Sequence, residues 1–82
     1  MAVPTAEIEA LIKAALPDAL VAVTDTTGGG DHFSAVVVST TFHGKTPVER
    51  HRLVYAALGP LMRSEIHALA LTTDTPEEYK RT

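Results

Sequence analysis

The stretch from Phe42 to Leu58 constrains this chain more than any other. It leads from the apolar run Ala35-Val36-Val37-Val38 into an amphipathic helix, through a turn rich in helix-start signals. Thr46-Pro47-Val48-Glu49 is a capping box with proline at the first helical position, so the threonine hydroxyl and the glutamate carboxylate can each satisfy an otherwise unpaired backbone N–H. Behind it Val54, Ala57, Leu58 and Leu61 recur at the spacing of one buried helical stripe. Gly59-Pro60 interrupts that pattern. Proline removes a helical hydrogen bond and crowds the preceding turn, which predicts a kink or break, with Leu61 to Ser64 continuing as another turn. Ile66 to Thr73 then alternates as a strand. Two strands separated by a helix call for a right-handed crossover and parallel pairing.

The rest of the chain completes that frame. Thr5 can cap a first helix with its apolar stripe at Ile8, Leu11, Ile12, Ala15 and Leu16, ended by Pro17. Leu20 to Thr26 reads as a strand, Thr27-Gly28-Gly29-Gly30 as a flexible connection, and His32 to Thr40 as a second strand. The short connection predicts an antiparallel hairpin. The apolar run within the second strand places it in the middle of the sheet. Thr75-Pro76-Glu77-Glu78 repeats the capping-box pattern for a short last helix ending at Lys80-Arg81. The expected order is α-β-β-α-(α)-β-α, an α+β fold with helices on one face of a three-stranded mixed sheet, and residues 1–82 read as one domain.

The chain has no cysteine, so any metal it binds must rest on His, Asp or Glu. Its formal net charge of −3 disfavours nucleic acid unless a local basic patch supplies the attraction. Lys45, Arg50 and Arg52 are the candidate patch. No run approaches the ~20 apolar residues of a membrane span, and the first residues lack the basic and apolar regions of a secretory signal. A soluble cytoplasmic protein is the expectation.

Parallel pairing has a consequence for the four histidines. His32 opens the second strand and His67 the third, so both belong at one end of the sheet, on strands ~4.8 Å apart. Taken alone, His67 reads as a partly buried histidine with one hydrogen bond. Taken with His32, the two imidazoles supply half of a four-coordinate metal site whose other ligands come from elsewhere. His32 follows three glycines, and a mobile loop there would let its ring swing toward a metal held by His67. Asp31 reads either as a turn residue or as a carboxylate orienting a ligand. His51 falls beside the buried stripe and is read as structural, bonded to backbone, while His43 sits exposed in the turn before Gly44.

Arg50 and Arg52 flank His51, where a charged helix face turned to solvent needs no functional explanation. A basic first turn beside a glycine turn can also touch phosphate. Gly44-Lys45-Thr46-Pro47 stands where a KH-type domain carries its Gly-x-x-Gly clamp, but it ends in proline, so Gly44 is read as a turn residue. No paired-carboxylate arrangement, Ser/His/Asp order, phosphate-binding loop or zinc-protease spacing is present, which argues against an enzyme active site.

Phe42-x-Gly44, Arg50-His51-Arg52-Leu53-Val54-Tyr55, Ile66-His67-Ala68-Leu69 and Thr75-Pro76-Glu77-Glu78 together resemble the BolA family. Asp31-His32-Phe33 is similar to the loop of those members that carry a histidine between the first two strands. The resemblance implies a fold like that of a class II KH domain. It also implies a monothiol glutaredoxin as partner, in a heterodimer bridged by a 2Fe-2S cluster. The family's C-terminal histidine ligand then falls on His67 and its loop ligand on His32, with two sulfurs supplied by the glutaredoxin and its glutathione. Two imidazoles on one iron and two thiolates on the other make a Rieske-like set, with a higher reduction potential than all-thiolate ligation. Imidazole is lost as a ligand on protonation, so cluster transfer is expected to be sensitive to pH. The family implies, as the alternative, a DNA-binding transcriptional regulator using Lys45, Arg50 and Arg52. A homodimer of the cluster-free protein is a further association to test.

Overall fold

In the computed structural model, which describes residues 3–81, two helices cover one face of a three-stranded sheet and two shorter ones flank its ends. The elements are α1 (Thr5–Ala15), β1 (Leu20–Asp25), β2 (His32–Val38), a 3-10 turn at Thr40–Phe42, α2 (Pro47–Leu58), α3 (Leu61–Ser64), β3 (Ala68–Asp74) and α4 (Pro76–Lys80). The sheet order is β1-β2-β3, with β1 antiparallel and β3 parallel to the central β2. This is the mixed α+β sheet that the crossover argument requires. Among the described residues no helix is long and apolar enough to cross a membrane.

The core forms where the helical stripes meet one face of the sheet. Ile8, Ile12 and Leu16 from the first helical segment and Val54 and Leu58 from α2 are buried together with Phe33, Val37, Phe42 and Ile66. Each such side chain removed from water contributes about 1.5–3 kcal/mol before the entropy of ordering is charged against it. On the other face Leu20, Ala22, Ala68, Ala70 and Thr72 stay exposed. The sheet is therefore covered on one side only.

α2 begins as its sequence dictates. The Thr46 side chain accepts from the Glu49 N–H at 3.2 Å and the Glu49 carboxylate accepts from the Thr46 N–H at 2.8 Å. Gly44 precedes it at φ +74°, a left-handed value that glycine adopts without strain. Nothing lies within 4 Å of where a Cβ would be, so backbone conformation alone sets the demand for glycine there. α2 ends at Gly59, also at positive φ, and α3 starts after Pro60, which is the predicted break. At α4 Thr75 and Glu78 form the second capping box.

Three of the boundaries and the order of one loop differ from expectation, each for an identifiable reason. Thr5 is the first helical residue rather than the cap. Pro4 holds the cap position in extended conformation without a side-chain bond, and the Val3 N–H is fixed to the Gly30 carbonyl at 3.1 Å. β2 ends at Val38 because Asp18 takes over the polar groups beyond it, accepting from Ser39 Oγ, Thr40 N and Thr40 Oγ1, each at 2.8 Å. The last ladder bond is from the Ser39 N–H to the Asp74 carbonyl at 3.0 Å; beyond it Asp18 takes the Thr40 N–H, and Ser39 Oγ caps the 3-10 turn by accepting from the Thr41 N–H at 3.1 Å. β3 starts at Ala68 rather than Ile66, since the Ile66 N–H bonds back to Leu61 and the Ile66 side chain fills the core. The glycine connection, expected to be flexible, is laced to Asp25. That carboxylate accepts from the N–H groups of Thr27, Gly28 and Gly30 at 3.3, 2.8 and 2.9 Å.

Candidate metal centre

The register of the parallel pair sets the site. His32 stands opposite Ala68, and His67 immediately precedes that residue, so the two imidazoles meet at one end of the sheet with ring centroids 6.0 Å apart and planes crossed at 68°. Both are open to solvent, His32 with 43% of its side chain exposed and His67 with 66%. The local chain explains their proximity. The Asp31 carbonyl accepts from the His67 N–H at 2.8 Å and from the Ala68 N–H at 3.3 Å, which ties the start of β3 to the end of the glycine loop.

Asp31 also reaches both rings through its side chain. One carboxylate oxygen lies 3.0 Å from His32 Nδ1 and the other 3.7 Å from His67 Nδ1. The hydrogen bond from His32 chiefly, and then the nearby imidazoles as charges, hold the Asp31 carboxyl below its ordinary range. A carboxylate can only accept, so the nitrogen facing it carries the proton. The carboxylate therefore occupies the Nδ1 side of His32, and the Nε2 atoms of both rings make no hydrogen bond among the described residues.

The donor set suits a shared ion. A metal about 2.0–2.1 Å from an imidazole nitrogen lies about 3 Å from the ring centroid, so two rings on one tetrahedral ion have centroids about 5 Å apart. The 6.0 Å seen here exceeds that by about 1 Å, a gap that rotation of two exposed side chains closes. Among the described residues no group of three or more His, Cys, Asp or Glu is arranged to hold a metal. The remaining ligands of any ion at this pair must come from outside the chain.

The other two histidines are placed elsewhere. His43 is exposed at the opposite end of the sheet, with its Nε2 3.2 Å from a Glu77 carboxylate oxygen. His51 is half-buried on α2, but among the described residues the expected bond to backbone is not made; its ring meets that of Tyr55 edge-on at 6.2 Å. Residues four apart on a helix share a face, and the carbonyls nearby are engaged in the helix itself.

The basic patch does not assemble as the sequence suggested. The sequence puts Arg50 on a charged helix face turned to solvent, yet only 11% of its side chain is exposed. Its Nε donates to the Lys45 carbonyl at 3.0 Å, and Nη1 donates to the Thr73 carbonyl at 3.3 Å and to the Glu78 carboxylate at 2.7 Å. The guanidinium also lies 5.8 Å from the centre of the Phe42 ring. That bond from Arg50 chiefly, followed by the Thr75 backbone N–H, pulls the Glu78 carboxyl down to about 2. Arg52 is exposed and Lys45 half-buried, so two cations of the three remain free of such a network.

What sequence reasoning missed was the reach of the aspartates. Asp31 beside His32 was a visible signal, but its contact with His67 depends on the register of two strands. Asp18 acts on a segment 22 residues away and nothing beside it announces this, whereas Asp25 acts on its own turn, accepting from N–H groups two, three and five residues on.

Comparison with known proteins bears on this geometry. The family described as BolA-like protein matches residues 10–78. A BolA protein homologue from Coxiella burnetii superposes with a TM-score of 0.81 at 49% identity, covering 96% of this chain and 99% of that one. The BolA domain of SufE1 from Arabidopsis thaliana superposes with a TM-score of 0.80 at 33% identity, covering 89% and 92%. BolA-like protein 1 of Bos taurus is 45% identical over 53 residues, which span 65% of this chain and 39% of that protein. The chain thus spans about two fifths of the length of that curated relative.

Proposed function

The chain belongs to the BolA-like family, and on that premise we propose that it is a non-catalytic adaptor that binds a monothiol glutaredoxin and shares a bridging 2Fe-2S cluster with it, in cluster trafficking or in iron or redox regulation. The observation that carries this reading is the pair His32 and His67, two exposed imidazoles side by side with no further protein ligand among the described residues. Half a ligand set on a surface asks for a partner that brings the other half. With no cysteine in the chain, the sulfurs must be the partner's.

A cluster held this way carries nitrogen ligands on one iron and thiolates on the other, which raises its reduction potential relative to four thiolates. Both histidines are held through the main chain, His67 by its N–H to the Asp31 carbonyl and His32 by its place in β2 and by its carbonyl, which accepts from the Thr26 N–H at 2.9 Å and from Thr26 Oγ1 at 3.1 Å. His32 is fixed through its ring as well. Nucleic-acid binding draws no comparable support, because Arg50 is spent on Glu78 and the net charge is −3.

The test is reconstitution of a glutaredoxin-bound cluster with glutathione, followed by visible absorption and circular dichroism. Addition of the wild-type chain changes the spectrum of the cluster, and His67→Ala leaves it unchanged. His32→Ala reports whether the loop contributes the second nitrogen. A wild-type chain that neither alters the spectrum nor forms a heterodimer overturns the shared cluster.

A further inference from the structure

The carboxylate of Asp31 stands between the two imidazoles on their Nδ1 sides. Apart from a minor contact with its own backbone N–H, the carboxylate meets only these two rings among the described residues. The Asp31 carbonyl, not its side chain, accepts from His67 and Ala68, and the neighbouring glycine loop is secured by Asp25. The main geometric consequence of the Asp31 side chain is the orientation of two rings.

We infer that Asp31 is a positioning residue that fixes the tautomer of His32, and biases that of His67, so that Nδ1 carries the proton and Nε2 faces outward as the coordinating atom. The inference deepens the adaptor reading of the same site and rests on it for its purpose. At His32 the Nδ1 to oxygen distance of 3.0 Å is a hydrogen bond. At His67 the 3.7 Å separation is longer than one, and a small rotation of an exposed side chain closes it. The effect is therefore graded, complete at His32 and partial at His67.

The direction matters because a neutral imidazole in water carries its proton mainly on Nε2. Left alone, each ring would present Nδ1, the nitrogen next to the backbone, as its free lone pair. With a carboxylate on Nδ1 the lone pair moves to the outer nitrogen, where an ion shared with a partner can be reached. Ligating histidines commonly donate their other ring N–H to a carboxylate or carbonyl, and loss of such a partner typically costs 10–100-fold in metal affinity.

The experiment uses the full chain without metal. Long-range proton–nitrogen correlation spectra are recorded on the alkaline plateau, where the ring nitrogen shifts no longer change with pH. In wild type His32 shows protonated Nδ1 and unprotonated Nε2, and His67 shows a mixture weighted the same way, while exposed His43 shows the reverse preference. In Asp31→Ala both His32 and His67 move to protonated Nε2, with the amide spectrum otherwise retained because any residue at 31 keeps its carbonyl. Asp31→Glu, which keeps a carboxylate but displaces it, serves as a second variant and shifts the two rings unequally. Tautomers that are the same in wild type and Asp31→Ala overturn the inference, as does a wild-type His32 with its proton on Nε2. Since the readout needs no metal, a failed cluster reconstitution beside these tautomer shifts would count against the shared cluster and not against the role of Asp31.

Discussion

The two ends of the sheet use the same kinds of residue in opposite ways. At the end where β2 and β3 finish, Arg50 gives its donors to Lys45, Thr73 and Glu78, the Glu78 carboxylate also caps α4 at Thr75, and Asp18 ties Ser39 and Thr40. At the end where those strands begin, Asp31 touches two exposed histidines whose outer nitrogens bond to nothing in the described chain. The first network is closed on itself and its product is a fixed turn and two fixed helix starts. The second is left half-complete at the surface. Buried polar groups stabilise when every member is satisfied, whereas imidazole nitrogens left open cost little only because water still reaches them.

The largest expected difference lies in packing. Phe42 is fully buried at the closed end, beneath the Arg50 guanidinium. Phe42→Ala removes a large core side chain and should cost about 3–5 kcal/mol in urea unfolding. A loss no greater than that of an exposed substitution would erase the distinction between the two ends.

A smaller effect should appear on the acid limb. The folded value of Glu78 near 2 lies below its ordinary 4.5, so its contribution is fully present above about 4.5 and is lost as pH falls toward 2. Glu78→Gln keeps a side chain able to serve the capping box but removes the charge that pairs with Arg50. Unfolding curves collected across that window should therefore fall less steeply with decreasing pH in the variant than in wild type. Parallel acid limbs would mean that the pair with Arg50 adds nothing to the fold.

Much of the closed end was legible in the sequence only as isolated pieces. The two capping boxes at Thr46 and Thr75 were readable because they are local, set by residues three apart. The break at Gly59-Pro60 was readable for the same reason. What joins the pieces is not local: Arg50 and Glu78 are 28 residues apart, and they meet because α4 follows β3 back to the start of α2. The open end was legible to a greater extent, since parallel pairing alone brings His32 and His67 to one edge. The order of the glycine loop was not, because Asp25 secures it through three N–H groups that any sequence of that length would have offered. A side chain that bonds backbone N–H groups, whether within its own turn as Asp25 does or across 22 residues as Asp18 does, leaves no periodicity to read.

The smallest expected effect is the one that separates function from fold. His67 is two-thirds exposed, and the hydrogen bond it makes to the Asp31 carbonyl comes from its N–H and belongs to the main chain. His67→Ala keeps that bond and removes only a ring that rests on Asp31 at 3.7 Å. A surface substitution of this kind stays within about 0.5 kcal/mol of wild type in urea unfolding. The same variant is the one expected to lose the spectral change with a glutaredoxin cluster, so a silent stability effect beside a complete functional loss would assign the open end to a partner. A stability cost above about 1.5 kcal/mol, typical of a residue that matters to packing or to a satisfied polar network, would instead make His67 a structural histidine and reduce the two ends of the sheet to one kind.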